Sequence, residues 1–288
     1  MKLALIGQDI KHSLSPKLQG LNAQACGKSI NFDLIDVNLS EFKDFVDNKK
    51  WGAYQGLNVT TPYKEKAYQA CDRLSPSAQC LKAVNTLKSE QGQLVGHNTD
   101  TDGVGFLVKN LISLPRYTNA RIVILGVGGA SRAAAHALSQ LGAGHLLWIS
   151  RDQKRALRCL AWCKTYFPES KATWLGQNGE MVGHTLDQRE NTLLISGAPP
   201  LHQDVWEILA LKYQEILGSH FGLAPEAALI DLNYGEQRTV GSRTYGLKHN
   251  LISYDGLSML VGQGVSSFEW WTSLSLSPHH IYKQMLED

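Results

Sequence analysis

What this chain has little of narrows it first. No apolar run approaches the roughly 20 residues that a bilayer-crossing helix needs. The opening segment 1–9 is too short for a secretory signal and reads as a buried strand. Only five cysteines occur, Cys26, Cys71, Cys80, Cys159 and Cys163, an odd count without tight spacing. That argues against a disulfide framework and for a reducing compartment, which makes a cytoplasmic location the expectation. Cys159 and Cys163 share an expected helix with no His and no further Cys nearby, so they read as packing residues, and no metal site is visible. Charge of one sign is also scarce. With 28 Lys and Arg against 26 Asp and Glu, the net charge is +2 and the basic residues are scattered. A nucleic-acid partner and a membrane partner are therefore not expected. Internal repeats and low-complexity segments are missing too.

What remains is ordinary globular material. A length of 288 residues with 43% hydrophobic and 19% charged content suits one large domain or two of common size. Strand-like and helix-like patterns alternate over the first hundred residues, as in an α/β domain. Strands are expected at 2–6, 31–37 and 56–60. Segments 84–88 and 93–97 read as a hairpin around Ser89–Gly92. Helices are expected at 16–25, with Ser15 as N-cap and Pro16 in first position, at 40–48 with Ser40 as cap, and from Lys64 onward. A helix at 101–111 ends near Pro115, with Asp102 as its expected cap. Beyond it, strands at 121–125, 145–149, 192–195 and 228–232 alternate with helices at 130–141, 153–166 and 203–217. That is the pattern of a doubly wound nucleotide-binding sheet. Segments 256–271 and 278–287 are helical again.

Four segments carry the chemistry. Gly126-Val127-Gly128-Gly129-Ala130-Ser131 follows a buried strand and opens a helix. The first glycine permits a tight turn and the second a close approach of a pyrophosphate, which the helix N-terminal amides attract. Ser131 stands where the generic fingerprint has its third glycine. At the end of the next strand, Ser150-Arg151-Asp152 and Arg155 would meet the adenosine ribose. The arginines suit a 2′-phosphate, and hence NADP, whereas Asp152 opposes it and keeps NAD open. Upstream, Asn58, Thr60, Lys64, Asn85 and Asp100 offer amides, hydroxyls and one lysine–carboxylate pair, a set suited to a ring with several hydroxyls. Lys64 can donate a proton to a carbonyl oxygen or polarise it, with Asp100 to orient it. Ser13 and Ser15 can bind a carboxylate without adding charge. His12 beside them reads as a rim residue.

In this order, Ser13-Leu14-Ser15-Pro16, Asn58-Val59-Thr60 through Lys64, Asn98-Thr99-Asp100, Gly126 to Ala133 and Asp255 to Gln263 resemble the shikimate dehydrogenase family across nearly the whole chain. The resemblance implies a two-domain α/β protein. An N-terminal substrate domain would comprise 1–103 and 255–288, with the C-terminal helices returning to it. A Rossmann-like NADP-binding domain would comprise 104–254. It implies NADPH-dependent, reversible reduction of 3-dehydroshikimate to shikimate, in the biosynthesis of chorismate and aromatic amino acids. Lys64 and Asp100 would be the catalytic pair. Ser13, Ser15, Asn58, Thr60, Asn85 and Gln263 would bind substrate. Gly126, Gly128, Gly129, Ala130, Ser131, Ser150, Arg151, Arg155 and Tyr234 would bind cofactor. A homodimer stays open. Three departures fall on the cofactor side: Asp152, Ser258 in place of a glycine, and Ser196-Gly197-Ala198-Pro199-Pro200-Leu201, whose prolines remove two backbone donors. They leave two alternatives, a quinate/shikimate enzyme with relaxed NAD/NADP use and a non-catalytic ligand-binding paralogue.

Overall fold

The structure is a computed structural model that describes residues 1–111, 120–186, 191–217 and 223–287. The expected helix stop near Pro115 lies outside those residues. The chain separates into two compact units, Met1–Phe106 with Leu260–Asp288, and Leu107–Met259.

The first unit runs β1 (Lys2–Gly7), α1 (Ser15–Ala25), β2 (Asn31–Asp36), α2 (Leu39–Asp47), β3 (Gly56–Val59), α3 (Lys64–Ala70), β4 (Arg73–Leu74), α4 (Pro76–Leu81), β5 (Thr86–Glu90) and β6 (Gln93–His97), then enters α5 (Asp100–Leu111). Its sheet has the order β2-β1-β3-β5-β6-β4. Strands β1, β2 and β3 pair in parallel, whereas β3–β5 and β5–β6 are antiparallel. β1 is buried from Leu3 to Gly7 and lies between β2 and β3, as expected for a parallel strand inside a sheet. The β5–β6 hairpin turns on Gln91 and Gly92 alone, both at positive φ. This is the two-residue geometry that matches strand twist, so the turn is tighter than the four residues expected from sequence.

Three cap assignments change. The N-cap of α1 is Leu14, and Ser15 is already helical. Its amide is taken by Ser13 Oγ at 3.2 Å, so the Ser15 hydroxyl does no capping. The cap of α2 is Asn38, not Ser40. Asn38 and Glu41 form a capping box worth about 1 kcal/mol. Asp102 lies inside α5, and the Asp100 amide is instead taken by the Asn98 side chain at 2.9 Å.

The second unit runs β7 (Arg121–Leu125), α6 (Gly129–Gln140), β8 (His145–Ile149), α7 (Gln153–Tyr166), β9 (Lys171–Leu175), β10 (Met181–Gly183), β11 (Asn191–Ser196), α8 (Gln203–Leu217), β12 (Leu223–Asp231), α9 (Glu236–Lys248) and β13 (Ile252–Tyr254). Its strands lie in the order β10-β9-β8-β7-β11-β12-β13, parallel except for β10. Strand order reverses at β7, and such a reversal opens a crevice at the carboxyl ends of β7 and β11.

The chain ends in α10 (Leu257–Thr272) and α11 (Pro278–Leu286). From Leu260 onward they belong to the first unit. Phe268 is fully buried in a cluster with Leu3 and Ala23. Trp271 lies flat where a Cβ on Gly56 would be, and its indole donates to Leu87 O at 3.0 Å.

Candidate active site

In the first unit, five side chains singled out from the sequence converge. Lys64 opens α3 and Asp100 opens α5. Lys64 Nζ reaches both carboxylate oxygens, at 2.9 and 2.7 Å. Asp100 is 2% exposed while the Lys64 side chain keeps 21%, so the ammonium is the accessible half of the pair. Asn85 precedes β5 and donates from Nδ2 to Asp100 Oδ1 at 2.9 Å and to Gln263 Oε1 at 3.3 Å. Asn58, on β3, donates to Asn85 O at 3.3 Å and to Ser267 Oγ at 3.1 Å. Buried polar groups at such density are stable only when nearly all are paired, and here they are.

Side chains to which the sequence assigns no role complete the pairing. Thr99 Oγ donates to Gln263 O at 3.0 Å. Thr86 donates to Asn85 Oδ1 at 2.8 Å. Gln19 Nε2 reaches Asn58 Oδ1 at 3.4 Å, and Asn98 Nδ2 reaches Ala83 O at 2.8 Å. Asn98 and Thr99 lie in the Asn98-Thr99-Asp100 segment, whereas nothing in the sequence marks Gln19 or Thr86. Ser13 and Ser15 form their own pair, Oγ to Oγ at 3.0 Å, on the turn that enters α1. No hydrogen bond described for either serine joins them to the Lys64–Asp100 group. Thr60 follows β3, half-buried, with its amide on Ile6 O at 3.0 Å. Its hydroxyl makes no bond to that group either. His12 is exposed at the same turn.

In the second unit, the carboxyl ends of the parallel strands hold the remaining candidates. Gly126 sits at φ +91°, a conformation that favours glycine, and its amide is held by Ile149 O at 2.9 Å. Helix α6 starts at Gly129 with no side-chain cap, so its first amides keep their capacity for an anion. A Cβ on Gly128 would meet nothing within 4 Å, which leaves open space over that turn. Ser131 is fully buried and packs on Gly197, where a Cβ would collide with its hydroxyl. Ser131 thus serves the inner side of the turn. A pyrophosphate fits this cradle of glycine backbone and uncapped amides. Arg151 and Arg155 are exposed past β8, and Ser150 Oγ accepts from the Asp152 amide at 3.1 Å. Asp152 is the N-cap of α7, accepting from the Arg155 amide at 2.9 Å. Tyr234 is half-buried on the β12–α9 loop. Among the described residues no group of three or more His, Cys, Asp or Glu could hold a metal.

Comparison with known proteins agrees with this geometry. Residues 5–87 match the family model of the shikimate dehydrogenase substrate binding domain, and residues 256–286 match that of the shikimate 5′-dehydrogenase C-terminal domain. A shikimate dehydrogenase (NADP(+)) from Bordetella avium is 32% identical over 280 residues, covering 96% of this chain and 92% of that protein. The chain belongs to the shikimate dehydrogenase family. A second relative of the same name, from Brucella abortus, is 33% identical over 276 residues, covering 94% of this chain and 88% of its own. Among solved structures, the shikimate 5-dehydrogenase of Thermus thermophilus in complex with NADP(H) and shikimate aligns with a TM-score of 0.74. It is 26% identical, covering 98% of this chain and 97% of that one. The expected family and the two-sheet α/β fold class are both borne out.

Against shikimate dehydrogenases, the departures now have physical form. The loop after β11 is tied down rather than loose. Gly197 N donates to Leu125 O at 3.0 Å, and Ala198 O accepts from Asn233 Nδ2 at 3.0 Å. Asn233 is itself held by Asp231 Oδ1 at 2.7 Å. Burial pushes the Asp231 carboxyl above its ordinary range, against the opposing pull of Ser242 and Asn233. The hydroxyl of Ser258 is buried and has no hydrogen-bond partner. That is a cost a glycine would not incur.

Proposed function

We propose that this chain is a shikimate dehydrogenase that reversibly converts 3-dehydroshikimate and NADPH to shikimate and NADP. The observation that carries the proposal is the Lys64–Asp100 pair, buried on the carboxylate side and accessible on the ammonium side, within a ring of amides and hydroxyls. Substrate chemistry is assigned to residues 1–103 and 255–288, and cofactor binding to 104–254. The bound nicotinamide supplies the hydride for reduction and takes it back in the reverse direction. Lys64 Nζ gives the carbonyl oxygen its proton as the hydroxyl forms. Asp100 keeps the lysine aimed, and Asn85 keeps Asp100 from rotating. Asn58, Thr60, Asn85 and Gln263 are assigned to the ring hydroxyls, and Ser13 with Ser15 to the carboxylate. The cofactor is assigned to Gly126, Gly128, Gly129, Ala130, Ser150, Arg151, Arg155 and Tyr234, whereas Ser131, expected from sequence to join them, is buried behind the turn and supports it. A cytoplasmic location and a small-molecule partner complete the reading. Neither nucleic acid nor a membrane is needed.

Use of quinate or NAD is the second reading, favoured by Asp152 alone. Its carboxylate is already committed to the α7 N-terminus, which accounts for it without a ribose. The test is reduction of NADP or NAD with shikimate or quinate, followed at the reduced-nicotinamide absorbance. Turnover confined to shikimate with NADP is the expected result. Preference for quinate or NAD transfers the chain to the second reading. Silence in all four mixtures, with binding retained, makes it a non-catalytic paralogue.

A further inference from the structure

The hydroxyls beneath the polyol site belong to one connected set of buried hydrogen bonds. Asn58 is held in one orientation: turned over, its oxygen would face the Asn85 carbonyl oxygen at 3.3 Å, and its NH2 would face the Gln19 NH2 at 3.4 Å. Nδ2 therefore points inward and donates to Ser267 Oγ at 3.1 Å. At the far end, Asp100 only accepts, and Asn85 Nδ2 donates to it at 2.9 Å. Asn85 Oδ1 then faces the Thr99 amide at 2.9 Å and the Thr86 hydroxyl at 2.8 Å, both as donors. Thr86 Oγ also lies 2.8 Å from Ser267 Oγ, a contact in which either hydroxyl can donate. Gln263 O accepts from both the Ser267 hydroxyl at 2.9 Å and the Thr99 hydroxyl at 3.0 Å. Hydrogen bonds thus connect Gln19 through Asn58, Ser267, Thr86 and Asn85 to Asp100, which accepts from Lys64 on its other side.

We propose that Ser267 is a positioning residue of the substrate site, the middle link of a hydrogen-bonded relay. The relay locks Asn58 so that its carbonyl oxygen is the atom left for substrate. Both amide protons of Asn58 are spent inside the protein. Its oxygen carries one long bond, to Gln19, and keeps a second lone pair. The ring hydroxyl that meets Asn58 must therefore donate, and a group that only accepts is rejected there because it leaves that oxygen facing an acceptor. This deepens the proposed function and rests on that reading of the substrate. It also ties substrate recognition at Asn58 to the aim of the Asp100 carboxylate, since polarised hydrogen bonds in a buried chain strengthen one another.

The test uses the full chain with shikimate and with analogues in which each ring hydroxyl in turn is replaced by fluorine. In Ser267→Ala, shikimate Kd without cofactor and shikimate KM should rise by roughly tenfold. The kcat should stay within about threefold, and the NADP KM should not move. One fluoro analogue should bind the wild type roughly tenfold or more weakly than shikimate and lose most of that penalty in the variant. Thr86→Val, which keeps the side-chain shape, should act in the same direction. Because both changes break one chain, the double variant should be little worse than Thr86→Val alone. A wild-type Kd in Ser267→Ala with an unchanged melting curve, or full additivity of the two variants, overturns the relay. If the wild type neither binds nor turns over shikimate, the substrate reading is what fails. The relay is then decided without ligand, by exchange of the Asn58 side-chain amide protons in NMR. They should be protected in the wild type and exposed in Ser267→Ala, and equal protection overturns the proposal.

Discussion

In the first unit the candidate site is built of side chains: Asn58, Lys64, Asn85, Asp100 and Gln263 converge, each held by at least one other side chain or by a backbone carbonyl. In the second unit the candidate site is mostly backbone: the Gly126 turn, the uncapped start of α6, and the Gly197 loop held by its own amide and by Asn233. The difference follows from what each would bind. A polyol needs donors and acceptors at set points, which only side chains supply. A pyrophosphate needs amides at close range, which side chains would obstruct. Substitutions in the first unit should therefore act by removing a group, and those in the second by adding one.

The largest expected effect comes from Lys64→Ala. Loss of the proton donor should lower kcat by about 10²–10⁴-fold, while shikimate Kd, measured by calorimetry, changes by less than fivefold by the same estimate. Activity near wild type would remove Lys64 from the mechanism. Next is Gly197→Ala, in which the added methyl meets the Ser131 hydroxyl and amide. It should cost about 1–3 kcal/mol of stability and raise NADP Kd by roughly tenfold with shikimate Kd unchanged. Thermal melts and a nucleotide titration check both. If shikimate binding fell equally, the contrast between the units would break. Smaller again is Arg151→Ala, which should reduce the kcat/KM preference for NADP over NAD by roughly fivefold. Asp152→Asn should raise that preference.

The smallest effect concerns pH. His97 sits between Ser75 at 2.7 Å and Ser77 at 3.2 Å and stacks on Trp270. Burial, then the nearby Lys88 charge, lowers its pKa below the usual 6.5. The neutral ring is the folded form, so its contribution is full above about pH 6.5 and fades as pH falls through the lower folded value. The melting temperature should drop on acidification toward about pH 5, and His97→Asn should flatten part of that drop. In the second unit burial lowers His136 in the same sense, so His136→Asn should flatten another part. An unchanged slope in both variants would assign the acid sensitivity elsewhere.

Much of this fold was legible because its strands are continuous apolar runs and its long helices carry ordinary caps and stripes. The elements that escaped lack those marks. Helix α9 has a buried face of Thr239, Gly241, Ser242, Tyr245 and Gly246, mostly small or polar, so hydrophobic periodicity misses it. Its glycines are needed for contact instead, since a Cβ on Gly241 would strike Leu201 O and one on Gly246 the Ser253 side chain. Strand β4 spans only Arg73–Leu74 and cannot show alternation. At the site, Lys64, Asp100 and their amide neighbours stood out as unusual residues for their positions. Thr86, Thr99 and Ser267 did not. A buried serine on an apolar helix looks like any small filler until its partners, 168 and 181 positions away in sequence, are known.

That long reach has a consequence for synthesis. Leu3 is covered by Phe268, Gly56 by Trp271, and the Asn58 and Asn85 side chains are closed by Ser267 and Gln263. A ribosome adding roughly 5–20 residues per second leaves the first strand waiting roughly 15–50 s for its lid. Until α10 emerges, the nascent first unit has an uncovered apolar face and no finished polyol site, whereas the strands and helices of the second unit up to β13 are already out of the tunnel. The substrate pocket is thus the last part of the molecule to exist. A stop codon that removes only the final thirty or so residues should abolish shikimate binding, which Lys64→Ala leaves nearly intact.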